Sequence, residues 1–172
     1  MTKITIQLFL LGIVLVLTQI LFSKIILFNV AVPFVFIYVI LRLPASMSSN
    51  WIMTIAFLLG LSIDVFNNTQ GMNALACVVL GMLRNPVLNM FQPRETELSN
   101  AVPSIDSMGV GGYAKYMSTL VVIFCALLFL IQAFTLHDIL LTVSRIGASS
   151  LLSIILLLGL DTLMGTRREK RL

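Results

Sequence analysis

Charge is scarce in this chain: Asp, Glu, Lys and Arg make up 10% of its 172 residues, against 59% hydrophobic residues. Soluble domains carry about a quarter charged residues, so the shortage excludes a water-soluble fold of this size. Histidine is nearly missing as well. His137 is the one copy, in the short turn Thr135 to Asp138, where it reads as a solvated loop residue with no second histidine to complete a metal site. The two cysteines, Cys77 and Cys125, each fall inside an apolar run and read as small, soft packing residues. No Ser/His/Asp or Cys/His set can be assembled with all its members at one depth, which leaves no catalytic group and calls for no cofactor. Gly109-Val-Gly-Gly112 has no following Lys-Ser/Thr, so it is no phosphate loop; a flexible connection is the expectation. The basic residues show no aromatic interleaving and no stripe on a polar helix, which argues against nucleic acid.

What the chain has is length in apolar runs. A bilayer about 30 Å thick needs about 20 such residues per helix, and six candidates follow one another: 4–22, 25–41, 51–66, 72–91, 117–134 and 139–164. These predict an all-α bundle in one membrane domain, with a polar loop at 92–116 and a basic tail at 165–172. The second run carries Pro33 and is parted from the first by Ser23-Lys24 alone, so it is either a kinked span or one that begins along the interface. In the fourth, Arg84-Asn85-Pro86 interrupts the run, and Val87 to Phe91 is expected either to continue it or to lie along the surface. Basic residues mark the cytoplasmic side. With both termini inside, Lys3, Arg42, Arg84, Arg94, Lys115, Arg167, Arg168, Lys170 and Arg171 all fall inside, and Lys24 outside. Trp51, Tyr113 and Tyr116 are then expected at the inner boundary as interfacial anchors, and Arg167, Arg168, Lys170 and Arg171 are placed to meet anionic lipid headgroups.

Against that background a carboxylate within an apolar run stands out. Asp64 would cost roughly 2.5 to 3.5 kcal/mol at a helix centre without a partner. Gly60, Asp64, Asn67 and Asn68 recur on one helical side, and Gly71, Ala74, Val78 and Gly81 form a small-residue strip on the next run, which predicts a close third and fourth helix hairpin. The sixth run bears a polar stripe of its own, Ser144, Arg145, Gly147, Ala148, Ser150 and Ser153. At 1.5 Å per residue Asp64 and Arg145 each lie roughly 10 Å below the outer surface. Two readings follow. Either they face one another or share an outer polar pocket with Asn67, Asn68 and Asn73, or Arg145 snorkels outward and Asp64 caps the polar turn through Asn67 and Thr69.

The run Phe57-Leu-Leu-Gly60-Leu-Ser-Ile-Asp64-Val-Phe, followed by Gly71-Met-Asn-Ala74-Leu75, resembles the signature of MreD, the rod shape-determining membrane protein of bacteria. Length, topology, inner loop and basic tail agree with that family along the chain. The resemblance implies a six-helix fold similar to the substrate-binding subunits of energy-coupling-factor transporters. It also implies a location in the bacterial inner membrane and a non-enzymatic scaffolding role in cell-wall elongation. Such a scaffold binds MreC and, through the elongation complex, associates with MreB, RodA and a class B transpeptidase. Gly60, Asp64, Gly71 and Ala74 are carried over as signature positions, structural or partner-binding. The competing reading is a vitamin- or metal-capture subunit of such a transporter. It is disfavoured because those subunits present an Ala-x-x-x-Ala strip on the first helix, whereas Ile4 to Phe22 holds no alanine.

Overall fold

The computed structural model describes residues 2–23, 32–92, 102–132 and 139–169; the side chains of 2–9, 22–23, 106, 139, 141 and 164–169 fall outside that description. Among the described residues every regular element is a helix: α1 (Thr2–Ser23), α2 (Tyr38–Leu41), α3 (Ser49–Asn67), α4 (Met72–Phe91), α5 (Ile105–Gln132) and α6 (Ile139–Glu169). Four stretches are long and apolar enough to cross a membrane, Ser49–Asn67, Met72–Phe91, Ser107–Gln132 and Thr142–Leu163, and Leu10–Leu21 is a shorter apolar helix. This is the pattern of a multi-pass membrane protein.

Successive helices pack as neighbours, α3 on α4, α4 on α5 and α5 on α6, while α1 lies against α3 and α2. The α3 and α4 pair is closest, for a reason the sequence supplies. A Cβ at Gly60 would come within 2.6 Å of the Ala74 Cα, and one at Gly81 within 3.3 Å of the Ala56 Cβ. Small residues therefore let the two backbones touch, which in lipid is where helix association energy comes from. Pro86 does not end α4, which runs on through Val87 to Phe91. Its exposed position lets the ring project outward instead of into a neighbouring helix.

The expected second span is corrected. Residues 25–31 of that run lie outside the described residues; from 32 on, 32–37 are not helical and helix is confined to the short α2. Pro33 explains the start of this departure: it lacks an N–H and drives Val32 towards extended geometry. The segment is nevertheless the centre of the bundle, with all of residues 33–41 buried. Phe34 and Phe36 pack edge-on against Phe124, and Phe34 also meets Phe129.

Bare backbone at membrane depth survives only where its polar groups find protein partners. Here side chains supply them. Ser149 Oγ accepts from Val32 N at 3.1 Å and Ser153 Oγ from Phe34 N at 2.9 Å. The buried Gln19 supplies two more, donating Nε2 to the Pro33 carbonyl at 2.9 Å and accepting from Val35 N through Oε1 at 2.8 Å. The segment runs alongside α6 in the same direction, since Val32 meets Ser149 and Tyr38 meets Asp161. The polar stripe of α6 is thus matched to an unwound chain.

The inner-loop expectation is also corrected. Helix begins at Ile105, not beyond Tyr116, and continues through a single non-helical residue at Gly109 (φ 72°, ψ 158°). Gly109-Val-Gly-Gly112 thus lies within α5, kinked at Gly109, and not in a loop. Tyr113 and Tyr116 are fully buried instead of standing at an interface, whereas Trp51 is 65% exposed. Residues 93–101 of the expected loop, Lys24, Arg94, His137, Lys170 and Arg171 lie outside the described residues, as do the side chains of Lys3, Arg167 and Arg168.

Candidate functional site

Polar chemistry collects at the two ends of the α3 and α4 hairpin. At one end stands Asp64, 3% exposed. Asn68 adopts the left-handed conformation (φ 56°) that stops α3, and its N–H and that of Thr69 both return to the Asp64 carbonyl. Gly71 (φ 79°) then turns the chain, a conformation that suits glycine, and α4 begins. The Asp64 carboxylate meets that new helix. Oδ1 accepts from Asn73 N at 3.1 Å, from Asn73 Nδ2 at 2.8 Å and from the Thr69 hydroxyl; Oδ2 accepts from Ala74 N at 2.8 Å. An anion on the first turn of a helix satisfies orphan N–H groups and faces the positive end of the helix dipole. One residue thereby ends α3 with its carbonyl and caps α4 with its side chain.

Of the expected outer pocket, the structure brings together Asp64 and Asn73, with Thr69 as a third member. Asn68 is exposed and contributes its backbone conformation, and Asn67 is half-buried at the last turn of α3. Arg145 is exposed on α6, and no ion pair joins it to Asp64. The carboxylate is instead neutralised within its own hairpin, by donors no more than ten positions away.

The other end holds a cluster that the sequence reading did not assemble. Asp161, 2% exposed on α6, pairs with Arg42 at 2.6 Å. It also accepts from Tyr38 Oη at 2.8 Å, from Tyr113 Oη at 3.1 Å and from Ile105 N at 3.3 Å. The Arg42 guanidinium lies over the Tyr38 ring, 5.4 Å from its centre. Beside them Arg84, fully buried, donates to the carbonyls of Leu41 and Leu43 and to Asn85 Oδ1. Tyr116 Oη shares the Leu41 carbonyl at 3.2 Å, and Asn85 reaches Ser49 at the start of α3. The turn 41–43 is therefore clasped from α4, α5 and α6 at once. Arg84, which basic-residue counting uses only to orient the chain, is a core residue, and Arg42 is half-buried beside it with its guanidinium turned onto Asp161. One signal pointed to Asp161: Ser149, Ser153 and Asp161 repeat at multiples of four, and Leu157 completes a wholly buried face.

Among the described residues no group of three or more His, Cys, Asp or Glu could hold a metal ion, and both cysteines are buried free thiols. Comparison with known families, curated proteins and solved structures finds no match to this chain.

Proposed function

We propose that this chain is a non-enzymatic scaffold of the bacterial inner membrane, acting in cell-wall elongation as MreD does and binding MreC. The observation that carries the reading is what the signature residues do. Gly60 and Ala74 bring two backbones into contact, Gly71 turns the chain, and Asp64 caps the returning helix. Both carboxylate oxygens of Asp64 are engaged in joining the two helices of one hairpin. A scaffold needs that, and a reaction centre would not be built so.

The hairpin leaves a broad apolar outer face of Phe57, Leu61, Val65 and Phe66 on α3 with Leu75 and Met82 on α4. On this reading a membrane-spanning partner lies against it. The test is photocrosslinking in living cells from Leu61, Val65 and Leu75. Capture of MreC, together with loss of rod shape when the gene is deleted, supports the proposal. Capture of lipid alone with normal rods in the deletion strain overturns it, and a vitamin that co-purifies with the chain favours the transporter subunit instead.

A further inference from the structure

Residues 102–108 form a small unit with its own internal bonding. Ser107 Oγ accepts from Ser104 N at 2.9 Å and donates toward the carbonyls of Ser104 and Val102, and the N–H groups of Ser107 and Met108 both return to the Ser104 carbonyl. The unit joins α5 through Gly109, whose positive φ breaks the helix and around whose Cβ position nothing lies within 4 Å. On its inward side Pro103, Ser104 and Met108 are buried. From this unit Ile105 N donates to Asp161 Oδ2 on α6, at 3.3 Å.

We infer that residues 102–108 are a lid, hinged at Gly109 and latched by the Ile105 N–H to Asp161, that covers the buried Arg42 and Asp161 pair. A self-bonded unit on a glycine hinge moves as a body, because its internal hydrogen bonds survive the motion, while the Ile105 latch breaks and Met108 gives up its contacts with the core. The latch acceptor is the carboxylate that already holds Arg42, Tyr38 and Tyr113, so lid position and the order of the central unwound segment are joined at one residue. Anything that draws the 102–108 unit outward exposes that carboxylate to water and loosens the clasp on turn 41–43. This inference stands apart from the proposed function and holds or fails whatever the partner.

The test is thiol accessibility in membrane sheets open on both faces, with Cys77 and Cys125 replaced by alanine and a membrane-impermeant maleimide as the probe. Met108→Cys reports the lid and Leu80→Cys, fully buried on α4, reports the bundle. With Asp161 intact, Met108→Cys is labelled slowly. Adding Asp161→Asn, which keeps shape but can no longer accept at both oxygens, raises that rate about tenfold or more, while Leu80→Cys stays unlabelled. Ile105→Pro removes the latch donor at the first helical position, where proline is tolerated, and leaves Asp161 and Arg42 untouched. It raises Met108→Cys labelling about fivefold, as loss of one hydrogen bond implies. Unchanged Met108→Cys labelling in Ile105→Pro overturns the lid, and so does a parallel rise at Leu80→Cys, which would mean that the bundle opens as a whole.

Discussion

Asp64 and Asp161 are both buried carboxylates in apolar helices, yet they are neutralised in opposite ways. Asp64 is met by neutral donors of its own hairpin, two backbone N–H groups, a hydroxyl and an amide. Asp161 is met by a guanidinium and two tyrosines brought from distant parts of the chain, with Tyr38 lying 123 positions away. The first arrangement forms when one helical hairpin forms. The second requires the whole bundle, and it links the unwound segment, α5 and α6 through a single side chain. Losing the first carboxylate uncaps a helix, whereas losing the second strands a buried cation.

The sharpest test of that difference is Asp161→Ala. It leaves Arg42 largely buried without its counter-charge, and removing one partner of such a pair costs about 3–5 kcal/mol. The expected result is a large fall in thermal stability of the purified protein, with Arg42→Ala in the Asp161→Ala background recovering a substantial part. If the double variant is as unstable as the sum of the singles, the charge pair is not what holds this end.

Next in size are changes that separate the hairpin. Gly60→Val must displace the Ala74 backbone, which cannot yield as a flexible side-chain tip would, so a loss of about 1–3 kcal/mol or more is expected. Gly81→Ala meets the Ala56 methyl at a less severe 3.3 Å and should cost less. Equal effects would show that the crossing is not centred on Gly60. Ser153→Ala belongs to the same range, because it leaves the Phe34 N–H buried without an acceptor, at about 1–3 kcal/mol. Ser149→Ala should cost less, since its bond to Val32 is only part-buried.

How much of this was readable from the sequence follows the same divide. The hairpin is legible because its determinants are local: Gly60, Asp64, Gly71 and Ala74 fall at helical spacings within one stretch, and the turn residues between them state where the helices end. Capping of the turn by Asp64 is one of the two readings that the residues allow, with Thr69 on the carboxylate as expected and Asn73 joining it. The unwound segment is half legible, since Pro33 announces trouble in the second run but not that Gln19, Ser149 and Ser153 would replace helical hydrogen bonds. The Arg42 and Asp161 pair is not legible at all by loop counting, because a basic residue near a span end looks the same whether it faces headgroups or folds back into the core. Tyr113 and Tyr116 mislead for the same reason, an interfacial tyrosine and a buried one with a partner being identical in sequence.

A smaller effect separates helix capping from charge pairing at the Asp64 end. Asp64→Ala removes the acceptor for two α4 N–H groups and should lower stability by about 1–2 kcal/mol, the ordinary worth of a lost N-cap, with Asp64→Asn retaining part of it. The smallest expected effect then decides whether Arg145 has any share in this site. It is exposed and forms no ion pair with Asp64, so Arg145→Ala should change stability by no more than about 0.5 kcal/mol. Because the two residues share no partner in the structure, Asp64→Ala combined with Arg145→Ala should sum within that same margin of about 0.5 kcal/mol. A coupling well above it would mean that Arg145 reaches the carboxylate after all, and the contrast between a locally neutralised end and a charge-paired end would give way to two charge-paired ends.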